Sequence, residues 1–464
     1  MKSILIEFLG CKVNSYEVEA VAKTFLDNGY HFFDEKNDNI PDVIIINTCA
    51  VTQTSITKDK KAIKKYRKAY PTSVIVVMGC YAQYKAEYIK DTLGADIVLG
   101  TSNRTKIYDL FTEYIQSHSK IILHDESNDI RQYEKMNIDK SYLTTRAYVK
   151  IQDGCNNFCS YCLIPYVRGR SRSREKEDIV YEINTLIKNG HKEVVLTGVD
   201  MSSYGLDFAS KTTFSDLLEF ILDNCKELQS LRISSLEESL LDDKFLLLLK
   251  NRSTLSNHLH IPLQSGSESV VKRMNRKYNL DEFKSKVNAI RLIRPNISIT
   301  TDVIVGFPGE SEENFLETYN SCKEINFSKI HVFPYSDRDG TVASKMSDKI
   351  SSEIKKDRVH RLLKLSEELE EQYCEQFYGQ DIDFLIEEYD EKLKAYKGHS
   401  SNYLHAFIIS DIDIKNQIVK INFTKQNRLD FWQCQKWKNT MVIVFFYYFT
   451  IISNNYLHFI EMSL

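Results

Sequence analysis

The sequence lacks an excess of positive charge, a signal peptide and an apolar run that could cross a membrane. Lys and Arg number 61 and Asp and Glu 64, so the net charge of -3 gives no general signal for nucleic acid. The chain opens on a strand-like stretch instead of a basic segment and a long apolar core, which predicts a reducing, cytoplasmic setting without disulfides. The densest apolar run, Met441–Ile452, is too short to span a bilayer as a helix, so we expect no membrane partner.

Six of the ten cysteines fall into two triplets of different design. One triplet crowds a single Gly-led loop and consists of Cys155, Cys159 and Cys162. The other is dispersed, with each cysteine just beyond an apolar run, and consists of Cys11, Cys49 and Cys80. Three thiolates can hold a four-iron cluster and leave its fourth iron open for a small ligand, whereas a closed electron-transfer site needs four. The other four cysteines are scattered singly and are interpreted as packing residues.

The first hundred residues repeat a strand-like pattern three times. The apolar runs are 4–9, 43–47 and 74–78, and helical spacing follows near 15–28 and 57–69. Strands that alternate with helices favour a parallel sheet, whose strands end at the same edge. The dispersed cysteines would then converge in the crevice at that edge, although chance could also place three cysteines after three strands. Gly10 and Gly79 would let the backbone approach a bulky inorganic group.

The length and the 42% hydrophobic content predict an α/β protein of several domains. Its predicted parts are a parallel-sheet domain, a linker, a larger barrel domain, a small β-barrel and an atypical apolar tail, at residues 1–116, 117–140, 141–372, 373–440 and 441–464. The barrel domain shows strand-like runs near 146–151, 193–197, 229–233, 258–263, 297–305 and 328–333. Six such strands predict an incomplete (β/α)6 barrel of the TIM kind, with the loop of Cys155 on its catalytic face. The tail is either a final buried strand or an unselected extension.

Two local segments are strongly basic. Residues 58–68 carry seven basic side chains on a predicted helix, and a solvated helix face explains them as well as RNA does. Directly after the cysteine loop, arginines alternate at Arg168, Arg170, Arg172 and Arg174. In an extended segment this alternation would put four guanidinium groups along one edge, which suits phosphates. We therefore predict that these arginines contact RNA.

The loop spacing Cys155-x3-Cys159-x2-Cys162 resembles the signature of radical S-adenosylmethionine (SAM) enzymes. The same spacing could hold zinc, but three cysteines without a nearby histidine after a first barrel strand favour an iron–sulfur site. Further motifs narrow the resemblance to the methylthiotransferases, and within them to the MtaB branch that modifies tRNA. The motifs are G-C-K-V-N (10–14), N-T-C-A-V-T (47–52), M-G-C-Y-A-Q (78–83), R-I-S-S-L-E (232–237), H-I-P-L-Q-S-G-S (260–267), R-M-N-R (273–276), T-D-V-I-V-G-F-P-G-E (301–310) and H-V-F-P-Y-S (331–336).

This resemblance implies two 4Fe-4S clusters and two SAM molecules per turnover. The loop triplet would be the catalytic centre that cleaves SAM to a radical, and the dispersed triplet would carry the sulfur that is delivered as a methylthio group. The implied substrate is N6-threonylcarbamoyladenosine at position 37 of tRNA, in the anticodon stem-loop, with attack at C2 of the base. The alternatives are N6-isopentenyladenosine, or a non-catalytic RNA-binding protein with structural zinc. The implied partners include an electron donor such as flavodoxin or ferredoxin, while the sulfur source stays open.

The resemblance also supplies candidates for cofactor and RNA contacts. The candidates for SAM lie at or just past the third, fourth and fifth barrel strands and are Ser235, Glu237, Gln264, Ser265, Gly266 and Asp302. Helix capping is the alternative role for Ser235 and Gln264, and a paired structural acid is the alternative for Asp302. Residues 379–424 resemble a TRAM domain, an RNA-binding barrel, with Lys397 and Tyr403 as candidate contacts. A plain barrel core would explain the tyrosines equally well.

Overall fold

The computed structural model describes residues 2–428. The predicted apolar tail at 441–464 and the last residues of the predicted 373–440 domain lie outside the described residues. Between residues 2 and 428, no helix is both long and apolar enough to cross a membrane.

The N-terminal part of the chain folds around a six-stranded parallel sheet. Its strands are β1 (Lys2–Phe8), β2 (Tyr30–Phe32), β3 (Val43–Thr48), β4 (Val74–Gly79), β5 (Ile97–Leu99) and β6 (Ile121–Leu123). Its helices are α1 (Lys12–Asp27), α2 (Gln53–Ala69), α3 (Cys80–Tyr84), α4 (Ala86–Thr92) and α5 (Ile107–Ser117). The strands lie in the order β2-β1-β3-β4-β5-β6. The three predicted strands are confirmed as β1, β3 and β4.

The central strands β3 and β4 are buried along their whole length, as strands covered by helices on both faces are. Their register pairs Thr48 with Gly79, and β1 pairs Phe8 with Asn47. All three strands therefore end level with one another. The residues that follow them meet at the carboxyl edge of the sheet, which is the edge where open α/β sheets bind ligands.

Helix α1 is buried on all sides. Every residue from Val13 to Ala22 is buried, including Glu17 and Glu19, because the helix lies between strand β1 and the first strand of the next domain. A helix exposed on one face would carry its acids on the water side, so the two buried carboxylates require partners inside the protein. Helix α2 shows the opposite pattern. It buries Ile56 and Ile63 and leaves its lysines largely exposed, so residues 58–68 form a solvated basic face.

The second part of the chain contains two three-stranded parallel sheets. Their strands are β7 (Ala147–Lys150), β10 (Glu193–Thr197), β11 (Ser230–Ile233), β12 (His258–His260), β13 (Ser298–Val305) and β14 (Lys329–Pro334), with a short antiparallel pair β8 (Gln152–Asp153) and β9 (Arg172–Ser173) between β7 and β10. The sheet orders are β11-β10-β7 and β12-β13-β14. The six predicted strand regions are confirmed, and their spatial order follows the chain.

Helices separate most of these strands. They are α6 (Ile164–Arg168), α7 (Lys176–Lys188), α8 (Phe214–Asn224), α9 (Asp243–Asn251), α10 (Glu268–Arg273), α11 (Leu280–Ile293), α12 (Glu312–Ile325) and α13 (Ser352–Glu375). Side-chain caps fix several of their starts. Thr213 and Asp216 form a reciprocal capping box at α8, and Ser311 does the same with Asn314 at α12. These caps satisfy the free backbone N–H groups of the first turn.

The last described part is a four-stranded antiparallel sheet with its own small core. Its strands are β15 (Asp381–Asp390), β16 (Ala395–Ser400), β17 (His405–Ile408) and β18 (Ile418–Asn422), in the order β17-β16-β15-β18. The core includes Phe384, Ile386 and Phe423. This sheet packs against the preceding domain through Arg232, which donates to the backbone carbonyls of Ser400 and Ser401 at 3.2 Å.

Candidate iron–sulfur and substrate site

The dispersed cysteines meet at the carboxyl edge of the N-terminal sheet. Cys11 immediately precedes α1, Cys49 follows β3, and Cys80 is the first residue of α3, directly after β4. Burial, and then the proximity of Cys80 and Cys11, raise the pKa of Cys49 to about 12. Burial also raises the pKa of Cys80 to about 11, although Arg168 opposes the shift. The three cysteines therefore follow strand ends at one edge of the sheet, and their joint role as ligands stays a prediction.

Two glycines make this convergence possible. Gly10 has φ +127°, and a Cβ there would lie 3.2 Å from the Sγ of Cys49. Gly79 has φ +99°, and a Cβ there would lie 2.6 Å from the carbonyl oxygen of Thr48. Both the backbone conformation and the close packing exclude a side chain at these positions. Because these two positions are glycine, Cys49 and the backbone of Thr48 can pack closely against the chain there.

The loop cysteines lie just past β7 and β8. The backbone of Cys155 donates to Gly169 at 3.1 Å, and that of Cys162 donates to Cys159 at 2.9 Å, so the loop closes on itself. Burial, and then Cys159, raise the pKa of Cys162 to about 12, although the backbone of Ile164 and the charge of Arg276 oppose the shift. Cys80 shares a hydrophobic cluster with Leu163, the residue after Cys162, so both triplets border the junction of the two domains.

The charged neighbours of the loop triplet are mixed in sign. The thiol of Cys155 contacts Asp200 Oδ2 at 3.6 Å, and Arg276 Nη1 lies 3.8 Å from the Sγ of Cys159. Arg276 also forms a bidentate ion pair with Glu237. The sequence does not predict a role for Asp200, and it places Arg276 only at the end of the R-M-N-R motif. Asp200 follows the end of β10, so its position on the catalytic face is the signal that could have found it.

The two triplets fit clusters better than single ions. Among residues 2–428, no three His, Cys, Asp or Glu side chains are grouped closely enough to hold one metal ion. In a 4Fe-4S cluster each cysteine binds a different iron, so the thiols need only face one shared space. Each triplet supplies three thiols, and Gly10 lacks the Cβ that would collide with Cys49 at the dispersed one. The residues present therefore fit such a group.

The structure corrects the prediction that the four alternating arginines bind RNA. Arg168, Arg172 and Arg174 are each no more than 2% exposed, so the prediction that they contact phosphates is wrong. The alternation is not extended, because Arg168 ends helix α6 and Gly169 turns the chain at φ +73°. Only Arg170 is exposed, with its guanidinium 4.6 Å from the ring centroid of Phe158.

The buried arginines instead join the two domains. Arg168 donates to the Sγ of Cys80 at 3.1 Å, to Glu17 at 2.8 Å and to Asp153 at 3.0 Å. Lys150 reaches the same Glu17 at 2.8 Å. Burial would raise the pKa of Glu17, but the surrounding cations outweigh it and hold that pKa well below its usual range. The acids that pair with the buried arginines thus come from helix α1 (Glu17), from β8 (Asp153) and, for Arg174, from helix α7 (Glu182).

Two family descriptions match this chain. Residues 149–322 match the radical SAM superfamily, and residues 3–100 match the uncharacterized protein family UPF0004. A threonylcarbamoyladenosine tRNA methylthiotransferase MtaB of Bacillus subtilis is 39% identical over 428 residues, which is 92% of this chain and 94% of that protein. The chain belongs to the radical SAM tRNA methylthiotransferases. The resemblance read from the sequence motifs is confirmed, and membership implies SAM and a 4Fe-4S cluster.

Other similar proteins lie in both branches of the family. A second MtaB, from Aquifex aeolicus, is 35% identical over 82% of this chain and 92% of its own length. A tRNA-2-methylthio-N(6)-dimethylallyladenosine synthase of Clostridium tetani is 34% identical over 91% and 94%. Among solved structures, the radical SAM methyltransferase TsrM of Kitasatospora setae has a TM-score of 0.53 at 13% identity, over 74% of this chain and 77% of that one. That likeness supports the fold alone.

The predicted SAM contacts of this methylthiotransferase fall into two groups. Glu237 is paired with Arg276, which in turn contacts Cys159 of the loop triplet. Ser235, two residues before Glu237, is exposed. Gln264 has φ +60°, and its backbone N–H donates to the carbonyl of Asp302 at 2.8 Å. Asp302 lies 3.3 Å from His260. Burial would raise the pKa of Asp302, but His260 and other nearby cations lower it, so it stays ionised.

Ser265 and Gly266 have a packing role in the structure. The Oγ of Ser265 lies 3.1 Å from the Oγ1 of Thr318 on helix α12, and the backbone of Gly266 donates to the same oxygen at 3.0 Å. A Cβ at Gly266 would lie 2.7 Å from the Cβ of Ser321. Both residues therefore let α12 approach the strand end closely, and their predicted contact with SAM stays a prediction.

The two predicted RNA contacts of the last sheet, Tyr403 and Lys397, have different surroundings. The ring of Tyr403 stacks on His258 at 4.4 Å between centroids and receives Arg232 at 4.9 Å and Arg146 at 5.9 Å. These contacts favour the alternative, in which Tyr403 packs between the domains, over its prediction as a stacking surface for RNA. Lys397 pairs with Asp390 on the neighbouring strand, and its role stays a prediction.

Proposed function

We propose that this enzyme adds a methylthio group to C2 of N6-threonylcarbamoyladenosine at position 37 of tRNA. The observation that carries the proposal is that Cys80 packs in one hydrophobic cluster with Leu163, the residue after Cys162, so that both cysteine triplets border the same domain junction. The identity to the MtaB proteins of Bacillus subtilis and Aquifex aeolicus supports the same substrate. One triplet without the other would support SAM cleavage but would offer no second centre for sulfur.

Under this proposal Cys155, Cys159 and Cys162 hold one 4Fe-4S cluster and Cys11, Cys49 and Cys80 hold the second. When bound, the clusters and two SAM molecules supply the electron, the radical and the methylthio group. The protein must first release protons from the thiols. Burial raises the pKa of Cys49 and of Cys162 to about 12, so these thiols stay protonated at neutral pH until iron displaces the proton.

The residues around the loop triplet would bind and orient SAM. Ser235, Glu237, Gln264, Ser265, Gly266 and Asp302 are the proposed contacts. Carboxylates such as Glu237 and Asp302 suit the amino group of SAM, and the side-chain amide of Gln264 suits its carboxylate or ribose. The ion pair of Glu237 with Arg276 fixes its orientation beside Cys159. Holding the cofactor rigidly against one C–H bond is the main task left to the chain.

The choice of substrate branch depends on Lys12. This first residue of α1 follows Cys11, and its charge interacts with Tyr403, Arg232 and Asp302, which belong to the other two domains. Asp302 is the carboxylate whose charge acts on Lys12, and that carboxylate is ion-paired with His260 instead. A threonylcarbamoyl group carries a carboxylate and a dimethylallyl group carries none. A cation without an ion-paired carboxylate at the junction therefore favours the carboxylate-bearing base.

Further parts of the proposal concern the architecture and the partners. The six strands β7 and β10–β14 would form the incomplete barrel of residues 141–372, after a first domain at 1–116 and a linker at 117–140. The sheet within 373–440 would act as a TRAM-like module for the anticodon stem-loop, with Lys397 and the exposed Arg170 as candidate contacts. Flavodoxin or ferredoxin would donate the electron.

Of the two alternative functions, one is still supported and the other is not. Methylthiolation of the isopentenyl (dimethylallyl) base is the second candidate, because the Clostridium tetani relative is 34% identical over most of both chains. The non-catalytic zinc protein is no longer supported, since the chain belongs to a family of enzymes. The remaining question is therefore which modified adenosine enters the site.

Mass spectrometry of tRNA nucleosides tests the substrate. Cells that lack the gene should lose 2-methylthio-N6-threonylcarbamoyladenosine and accumulate its unthiolated precursor, and the wild-type gene should restore the product. Lys12→Gln should restore less of it, whereas Lys61→Gln, on the exposed face of α2, should restore it fully. Loss of the isopentenyl counterpart instead would move the assignment to the sister branch.

A further inference from the structure

Arg338 is a buried cation that lacks a counter-ion. It lies in the loop after β14 and is 4% exposed. Its Nη1 donates to Gln53 Oε1 at 3.2 Å, while its Nε and Nη2 have no hydrogen-bond partner in the structure. Removing a guanidinium from water without a compensating anion costs several kcal/mol, on the order of the stability of a domain. A residue in this state indicates a binding partner that is not part of the chain.

The other buried arginines show that this state is unusual here. Six arginines in the described part are as buried as Arg338, and each forms an ion pair with a carboxylate: Arg104, Arg168, Arg172, Arg174, Arg232 and Arg358. The acid next to Arg338 is already used, because Asp337 accepts from Lys349 at 2.7 Å and from Tyr335 at 2.9 Å. No carboxylate within residues 2–428 lies within ion-pair distance of Arg338.

The loop of Arg338 crosses from the barrel strands to the dispersed triplet. Ser336 accepts from the backbone of Gln53 at 3.2 Å, and Tyr84 donates to the carbonyl of Asp339 at 3.3 Å. Gln53 begins helix α2, four residues after Cys49. Burial lowers the pKa of Arg338, and Cys49 is the group that most opposes this shift. The hydrogen bond to Gln53 therefore holds the guanidinium of Arg338 at the start of α2, the end of the helix that follows Cys49.

We propose that Arg338 binds the small sulfur anion used at the Cys11, Cys49 and Cys80 site, namely hydrosulfide or methanethiolate. This inference rests on the proposed function, because it assigns a residue to the sulfur co-substrate. A guanidinium offers two adjacent N–H donors and a permanent positive charge, which suit a compact anion held in a site that excludes water. A tRNA phosphate is not the ligand, since a side chain that is 4% exposed cannot meet a polynucleotide backbone.

The test measures anion binding without tRNA. The full chain carrying alanine at Cys155, Cys159 and Cys162 is reconstituted with iron and sulfide and reduced by one electron with dithionite, so that only a cluster at the dispersed triplet gives an electron paramagnetic resonance signal. Sodium methanethiolate is then titrated against this protein and against its Arg338→Met, Arg338→Lys and Arg361→Met derivatives. Arg361 lies on the exposed side of α13 in ion pairs with Glu312 and Asp357, so its variant is the matched control.

Arg338→Met should weaken methanethiolate binding by about 10- to 100-fold, the range expected for a hydrogen bond to a charged group. Arg338→Lys should give an intermediate loss, and Arg361→Met should give none. Loss of iron from Arg338→Met but not from Arg338→Lys would also support the proposal, because the charge would then be needed at the site itself. Unchanged affinity in Arg338→Met, or loss of iron from both variants, would overturn it. Neither result depends on which nucleoside the enzyme modifies.

Discussion

The two cysteine triplets differ in how the fold brings them together and in the charges around them. Cys155, Cys159 and Cys162 come from one short loop, whereas Cys11, Cys49 and Cys80 come from three strand ends of a sheet. The loop triplet has neighbours of both signs, Asp200 and Arg276. The dispersed triplet is approached by two arginines of the other domain, Arg168 at Cys80 and Arg338 near Cys49.

Under the proposed function, this difference would give two similar sets of thiols separate tasks. A surrounding of mixed charge suits SAM, which carries an amino group, a carboxylate and a sulfonium. A cationic surrounding suits a sulfur anion, because opposite charge stabilises the ionised form in a buried site. The dispersed triplet also needs the other domain to be docked, since both arginines come from outside its own sheet. Its chemistry is thereby tied to the assembled junction.

The largest predicted effect separates the tasks of the two triplets. Cys159→Ala should abolish formation of 5′-deoxyadenosine, because the loop cluster would lose a ligand. Cys49→Ala should keep SAM cleavage and stop methylthiolation of tRNA. Chromatography of the nucleoside products measures both reactions in one assay. Methylthiolated tRNA from the Cys49→Ala enzyme would remove the dispersed triplet from the mechanism.

A smaller effect is expected from the arginine that joins the domains. Arg168→Met leaves Glu17 and Asp153 with fewer cations, and breaking a buried ion pair costs about 3–5 kcal/mol of unfolding free energy. Arg170→Met is the matched control from the same segment, and an exposed substitution should change stability by less than about 0.5 kcal/mol. Denaturant unfolding of both variants gives the comparison. Equal stability of the two would show that the network around Glu17 does not hold the junction together.

The smallest effect tests the close packing beside the dispersed thiols. Gly79→Ala places a Cβ against the backbone of Thr48 in a left-handed conformation and should cost about 1–3 kcal/mol. Gly29→Ala has the same sign of φ but no atom within 4 Å, so it should cost about 1 kcal/mol or less. Thermal unfolding measures the difference. If Gly29→Ala destabilises as much as Gly79→Ala, backbone conformation alone explains the glycine, and packing does not.

The sequence predicts the fold well where the pattern is local. The runs at 43–47 and 74–78 become strands β3 and β4, and the six barrel strands appear where alternation of apolar runs and helices predicts them. Strand β12 ends earlier than predicted, at His260, because the backbone of Leu263 donates to the Oγ1 of Thr301 instead of continuing a ladder. The convergence of Cys11, Cys49 and Cys80 follows from one rule, that parallel strands end at a common edge.

Where the structure departs from the sequence analysis, or favours its alternative, the partners are distant in sequence. Arg168 is read as a phosphate contact because its neighbours are basic, but its acid, Glu17, lies on a helix of another domain. Tyr403 is read as an RNA surface because lysines precede it, but its ring stacks on His258. Burial of a charge depends on what packs over it, and a local pattern does not contain that information. For the same reason the missing counter-ion of Arg338 becomes visible only in three dimensions.

Iron content tests the central claim, that each triplet holds its own cluster, most directly. Anaerobic reconstitution of the wild-type chain should give roughly eight irons, four for each 4Fe-4S cluster. Alanine at Cys11, Cys49 and Cys80 should leave roughly four, and so should alanine at Cys155, Cys159 and Cys162. A wild-type chain with roughly four irons, unchanged by loss of the dispersed triplet, would contradict the account.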